Sequence, residues 1–389
     1  MSRPVAIPGA VVVALLVTGL IGAPGGSAAV APSPTTVHTA DGRELPVFGA
    51  GKANCMKVTS QRWVLPAQSK EVTAAEPDAA TVVEFADESG TVGEQRIAPA
   101  AWRPLKTSDE ELAFYGYDAR PSDPTALAGW RAQAARFTGF SPPGMCSRPD
   151  IGSISSFANA KTQITTFENT AFNAIWSGIV NHSGSITKSY ARQVIGSNSS
   201  FPCASGAHSA WVGIGGYSTG RLMQNGILQY SGGAFAWYEV LNGSYTPALH
   251  TVNLGVAPGQ TLNISTEYFP STNKVQFGFN NLSTGVSAST AILSSVDGHP
   301  PSYYYDGQDG EVIDERPLQS GQVAPLRNYN RTVWSNAVYY QSGGSTSHPI
   351  RSGPEDGIVM QSNAATTLSS PNGAGYPLDG FEDNFYACG

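Results

Sequence analysis

The chain has 389 residues, of which 41% are hydrophobic and only 13% charged, with 43 Gly, 27 Pro and a formal net charge of −7. The acidic balance excludes the basic face that neutralises phosphates, so no nucleic-acid surface is expected. The hydrophobic content excludes a disordered chain, and the glycines and prolines suit a β-rich protein with many turns.

The first expected element is a targeting segment. Arg3 precedes an almost purely apolar run, Ala10 to Ala23, and Ser27-Ala28-Ala29 offers small residues for cleavage. The run is short for a bilayer span, so residues 1–29 read as a secretory signal peptide. The mature protein is then expected to be secreted, monomeric and free of membrane after the signal is removed.

Residues 30–148 read as a smaller mixed α/β segment, either a prosegment or an accessory domain. Val30 to about Val47 reads as a flexible lead. Thr81 to Ile97 alternates around Glu88-Ser89-Gly90 and predicts a hairpin. Ser108 with Glu111 forms a capping box that opens a short helix. Asp123-Pro124 supplies an N-cap and a first-turn proline for a second helix, running to about Phe137. Ser141-Pro142-Pro143-Gly144 breaks the chain.

From residue 149 onward, short β-branched and aromatic runs alternate with Gly, Asn, Ser and Pro. In Thr261–Tyr268, Leu262, Ile264, Thr266 and Tyr268 share one face by the two-residue period. This spacing predicts an all-β fold, a two-sheet antiparallel β-sandwich over 149–389. The four cysteines suggest two disulfides in an oxidising compartment, with three pairings open. Cys55–Cys146 with Cys203–Cys388 is preferred, because it staples the N-terminal segment and the main domain separately. No C-x-x-C pair occurs, and neither a metal nor a cofactor is expected.

Gly216-Tyr217-Ser218-Thr219-Gly220 spells G-x-S-x-G, the nucleophile elbow. An elbow needs a strand, a sharp turn and a helix. Strand-like Trp211–Ile214 precedes Ser218, but Arg221–Ile227 reads as another strand, so Ser218 reads as a turn residue. The six histidines show no metal or triad spacing and read as solvated or hydrogen-bonded side chains. Carboxylates are more suggestive. On a strand, Glu311, Ile313 and Glu315 share one face while Val312 and Asp314 take the other. Two acids and an aliphatic fit the concave face of an open sandwich better than a closed core.

Four ordered stretches carry a resemblance. They are Trp211-Val212-Gly213-Ile214-Gly215-Gly216, Leu222-Met223-Gln224-Asn225-Gly226, Ala236-Trp237-Tyr238-Glu239, and Glu311-Val312-Ile313-Asp314-Glu315. Together they resemble the glutamic peptidases (eqolisins), which read W-V-G-I-D-G, L-I/L-Q-T-G, A-W-Y-E-W-Y-P and E-W-I-V-E. The resemblance runs from about Ile175 to the C-terminus. It implies a concanavalin-like sandwich and a Gln/Glu catalytic dyad, with Gln224 and Glu315 in those places. It also implies that Trp211 and Glu239 line the cleft; Trp237 and Glu311 complete the candidate substrate-binding set, for a protein or peptide substrate. Three departures stand out. Gly215 replaces an Asp, Val240-Leu241-Asn242 replaces W-Y-P, and Val312 replaces a Trp.

Such a dyad suits acid conditions. A histidine base is protonated there, whereas a carboxylate still ionises, and a glutamine amide donates without titrating. The expectation is a secreted acid endopeptidase. Two alternatives stay open: a glycoside hydrolase with Glu239 and Glu315 paired across the groove, and a sandwich that binds peptide or glycan without turnover.

Overall fold

The computed structural model describes residues 34–389 apart from 69, 74–75, 149–160, 163–168, 198–202, 204, 218, 244–247, 290–291, 320–321 and 363–364. The expected signal peptide, 1–29, lies outside the described residues, as does Ser218. Among the described residues no helix is long and apolar enough to cross a membrane.

The elements follow in chain order. The first hairpin is β1 (Thr36–His38) with β2 (Glu44–Pro46), then β3 (Lys57–Leu65), β4 (Ala80–Ala86) and β5 (Val92–Ile97). Two helices, α1 (Asp109–Phe114) and α2 (Pro124–Ala134), precede β6 (Met145–Arg148). Next come β7 (Asn169–Asn173), β8 (Trp176–Asn181), β9 (Ile186–Val194), β10 (His208–Gly215), β11 (Arg221–Tyr230) and β12 (Gly233–Asn242). They are followed by β13 (Leu249–Val252), β14 (Thr261–Phe269), β15 (Lys274–Asn281), β16 (Ile292–Ser295) and β17 (Gly310–Glu315). The chain ends with β18 (Arg331–Gln341), β19 (Glu355–Gln361), β20 (Thr367–Asn372) and β21 (Phe381–Phe385).

These strands form two large sheets. The front sheet has the order β7-β19-β8-β17-β10-β11-β12-β13-β6. The back sheet has the order β21-β18-β9-β14-β15-β16-β5-β4-β3. β20 joins β19 of the front sheet to β21 of the back sheet. These pairings are antiparallel except β7–β19, which is why short turns suffice where parallel crossovers would need helices.

Alternation sets the layers. Ile179, Val212, Ile214, Met223, Tyr238 and Val312 of the front sheet share one buried cluster with Ala191, Leu262, Ile264, Phe277 and Trp334 of the back sheet. The opposite face of the front sheet carries a second cluster, with Trp176, Trp211, Trp237, Leu222, Leu228 and Ile313. A one-residue slip would exchange these sets, and each fully buried aliphatic is worth about 1.5–3 kcal/mol, so the register is strongly held.

The N-terminal expectations hold in part. Ser108 accepts from the Glu111 N–H in a full capping box, and α2 starts at Pro124. The expected lead over 30–47 is instead a hairpin from Thr36, with Val37 and Val47 buried in the inter-sheet core. Two β-bonded runs there are too short for period reasoning to detect. Both preferred disulfides are present, Cys55–Cys146 and Cys203–Cys388.

Cys203–Cys388 closes a separation of 185 residues, ahead of β10 at one end and at the C-terminus at the other. Replacing both cysteines by serine is expected to cost about 2–4 kcal/mol, read as a lower urea midpoint with a steeper slope as the unlinked unfolded chain expands. An unmoved midpoint would show that the bridge carries no stability.

Candidate active site

The front sheet brings the candidate residues together through its register. Glu311 of β17, Gly213 of β10, Gln224 of β11 and Glu239 of β12 stand side by side in one cross-strand row. The next row on the same face holds Ile313, Trp211, Gly226 and Trp237. The row beyond holds Trp176, Glu315, Ser209 and Leu228. Gln224 and Glu315 therefore lie on one face of one sheet, two strands apart, with the Trp211 row between them. Val312 and Asp314 point to the inter-sheet side, as alternation requires.

Gln224, Glu239, Glu311 and Glu315 are all fully buried among tryptophans and aliphatics. Gln224 Nε2 donates to Glu239 Oε2 at 3.0 Å. Trp211 Nε1 donates to Glu315 Oε2 at 2.7 Å. Gln224 Oε1 and Glu315 Oε1 have no hydrogen-bond partner among the described residues. The Tyr217 N–H donates to Glu311 Oε1 at 2.9 Å, closing the β10–β11 turn onto the same row.

The wall sets the acidity. Burial pushes the Glu315 carboxyl well above its ordinary range; the indoles of Trp176 and Trp211 oppose this, and the nearby Glu239 charge adds to it. Glu311 is also pushed well up, first by burial and then by the Asp309 charge. Each acid is thus held toward its neutral form until a partner or higher pH ionises it.

Two glycines make room for this arrangement. A Cβ on Gly226 would stand 2.3 Å from the Ala210 carbonyl and 2.5 Å from Trp211 Cβ, so only Gly lets Trp211 lie across the sheet. Gly215 has φ +80°, and a Cβ there would stand 2.6 Å from Asp306 Oδ1. The carboxylate of Asp306 thus occupies the space that a side chain at position 215, an Asp in the family pattern, would need. Asp306 accepts from the Gln308 N–H at 2.9 Å and from the Thr219 hydroxyl. Burial and then Asp309 raise its pKa, against the pull of the Gln308 N–H and Arg221.

Beneath the site, on the inter-sheet side, His208 Nε2 lies 2.5 Å from Asp314 Oδ1 and Nδ1 lies 3.1 Å from Gln229 Oε1. The Gln229 amide nitrogen donates to the Gly196 carbonyl, which leaves its oxygen to face the ring. His208 thus sits buried between Asp314 and Gln229. Asp314 also accepts from Thr332 Oγ1 at 2.6 Å and Trp334 Nε1 at 2.8 Å. This knot anchors β17 at the residue before Glu315. At the end of the same strand, His182 is held between Asp309 at 2.7 Å and Asp356 at 3.3 Å. Burial opposes its charge, but the two carboxylates win and raise its pKa to about 9.

Alternation and motif order found Gln224, Glu239, Glu311, Glu315, Trp211 and Trp237, and the fold places all six on one face. The histidines were read as solvated or hydrogen-bonded, and His208 and His182 are hydrogen-bonded, to Asp314 and Asp309, which lie over a hundred residues away in sequence. The β10–β11 hairpin runs strand, turn, strand, so the G-x-S-x-G stretch lacks the helix of an elbow.

A family model described as the Peptidase A4 family matches residues 174–374. Among solved structures, the chain is similar to scytalido-glutamic peptidase with a transition state analog inhibitor, at 17% identity and TM-score 0.46, over 55% of this chain and 99% of that one. It is similar to SCP-B, a member of the Eqolisin family in complex with the tripeptide Ala-Ile-His, at 19% identity and TM-score 0.43, over 55% and 99%. It is also similar to aspergilloglutamic peptidase from Aspergillus niger, at 20% identity and TM-score 0.38, over 46% and 99%. No curated protein matches. The family match spans more than half of the chain and contains every candidate residue of the front sheet, so the chain belongs to the Peptidase A4 family, the eqolisins, which are peptidases of the glutamic type.

Proposed function

We propose that the chain is a secreted endopeptidase working in acid, with Gln224 and Glu315 as its dyad. The observation that carries this reading is the state of Glu315. The Trp211 indole donates to one carboxyl oxygen, the Trp176 indole beside it also favours the charged form, and Gln224 presents an amide on the same face.

In this reading the ionised Glu315 takes a proton from a water, and the resulting hydroxide attacks the scissile carbonyl carbon. The carbonyl oxygen becomes an oxyanion and accepts an N–H from Gln224. That amide has two N–H bonds, one committed to Glu239 and one left for this task. Glu315, now protonated, passes its proton to the leaving nitrogen as the C–N bond breaks, giving a carboxylic acid and an amine. Glu239 acts by fixing the amide, and Trp211, Trp237 and Leu222 offer apolar wall to substrate side chains. The glycosidase alternative loses ground because Glu239 is tied to Gln224, and no observation favours it.

Hydrolysis of casein or haemoglobin is expected in mildly acid solution, above the ordinary glutamate value of about 4.3. It should resist pepstatin, chelators and serine reagents. Gln224→Ala and Glu315→Gln should each lower kcat/KM by about 100-fold or more. Full activity in both variants would remove the assignment.

Because burial raises Glu315, the acid limb of the pH–rate profile should lie above the ordinary glutamate value of about 4.3. The Trp211 N–H favours the charged form, so Trp211→Phe should move that limb to still higher pH. A limb that stays in place, or moves down, would show that this bond does not set the base.

Stability should follow the same carboxyls. Glu311, Glu315 and Asp383 are buried with raised values, Asp383 first by burial and then by the Asp314 charge. Folded values above unfolded ones contribute stability that is complete below about pH 4 and lost as pH rises through the folded values. His182, raised to about 9, adds stability that is complete below its ordinary value of about 6.5 and is lost as pH rises from there through about 9. The melting temperature is therefore expected to be higher near pH 4 than near pH 8, and the reverse order in a thermal scan would contradict the burial argument.

A further inference from the structure

Residues 34–148 add to the sandwich at its edges and its open end, away from the dyad face. β5 continues the back sheet, with Glu94 opposite Ile292 and Gly93 opposite Leu293. β6 continues the front sheet beside β13, with Thr251 opposite Cys146. Gly139 and Phe140 pair in parallel with Val286 and Ser287. Unpaired sheet edges are a liability, and this segment covers one in each sheet.

The burial pattern agrees. Val37, Val47, Met56, Val83, Phe85, Ile97 and Met145 belong to the same inter-sheet cluster as Tyr238, Val252, Phe277 and Leu293. The cluster on the dyad face contains no residue of 34–148 among those described. At the segment's end, Arg148 lies over the Phe235 ring at the rim, 4.7 Å from its centroid.

Polar contacts lock the β4–β5 turn to the main domain. Ser89 Oγ donates to Asp297 Oδ1 at 2.6 Å, and the Asp297 N–H donates to Thr91 Oγ1 at 3.1 Å. A Cβ on Gly90 would stand 2.9 Å from Gly298 Cα, so the two turns meet backbone to backbone. Asp87 Oδ2 lies 3.8 Å from Nε2 of the buried His250. The His250 ring stacks on Tyr238 at 4.8 Å, and Tyr238 stacks on Phe277. Tyr238 is the residue before Glu239, so this stack backs the strand that holds the Gln224 amide.

We infer that residues 34–148 stay with the working enzyme as a permanent extension of both sheets that braces the Glu239 strand, and are not a prosegment whose loss uncovers the groove. A segment that blocked the groove would bury its apolar side chains on the dyad face; this one buries them between the sheets. The functional half of the inference rests on the proposed peptidase reading, whereas the assembly half does not.

The test uses the full chain with a recognition site for a sequence-specific protease introduced between Arg148 and Lys161, in the otherwise unchanged protein and in Glu315→Gln. After cutting, the two pieces are chromatographed near pH 4. Both disulfides lie within single pieces, so nothing covalent joins the two. The expected result is co-elution as one particle in both proteins, with activity of the cut enzyme within about two-fold of the uncut enzyme. Asp87→Asn in the cut protein should release the N-terminal piece at lower urea. The inference is overturned if the N-terminal piece leaves and the remainder stays folded with equal or higher activity. Absence of activity in uncut and cut protein alike would fail the peptidase reading, while co-elution would still decide the assembly.

Discussion

The hydrogen bond from the Trp211 indole to Glu315 is the contact on which the rest of the site depends. A carboxyl surrounded by Trp176, Trp211 and Ile313 has lost its water and is driven toward the neutral acid. Without a donor it would stay protonated still further above the ordinary carboxylate range. The Trp211 indole N–H at 2.7 Å, with the Trp176 indole beside it, restores part of what water supplied. Gly226 lets the β10–β11 strand pair close, since a Cβ there would meet the Ala210 carbonyl and the Trp211 Cα and Cβ.

The bond holds its geometry because the opposite side of the sheet is also polar and also closed. Asp314 points away from Glu315 into the inter-sheet layer, where His208, Thr332 and Trp334 satisfy it. The His208 ring stacks on Tyr329 at 3.8 Å, and the Tyr329 hydroxyl reaches Asp383 at 3.0 Å. Breaking such a buried network leaves polar groups without partners, which costs more than the bonds themselves contribute. Here the network sets which residue of β17 faces which layer, and so where Glu315 points.

The departures from the family pattern have physical counterparts in the fold. Where the pattern carries an Asp after W-V-G-I, this chain has Gly215 in a left-handed conformation, and the Asp306 carboxylate from another loop stands in the space so freed. Val312, in place of a Trp, lies in the inter-sheet core, where a smaller side chain fits against Val212 across the strand pair. The N-terminal segment fills the end of that same core.

Local chemistry made much of this legible from the residues. The two-residue period of Glu311–Glu315 assigned faces correctly, Ser108 with Glu111 and Asp123-Pro124 marked helix starts, and the motif order drew Gln224 and Glu315 into one proposal. These signals work because strand alternation and helix capping depend on neighbours a few residues away. The sequence could not reveal that Thr36–Pro46 is a hairpin docked in the core, that His208 meets Asp314, that His182 sits between Asp309 and Asp356, or that Asp306 fills the gap at Gly215. Those pairings span tens to over a hundred residues, and each energy appears only when two sheets have closed and excluded water. What the chain determined alone was which face of each strand is apolar and where acids interrupt it. Which acid meets which donor, and hence which proton can move, was decided by the packing of distant strands.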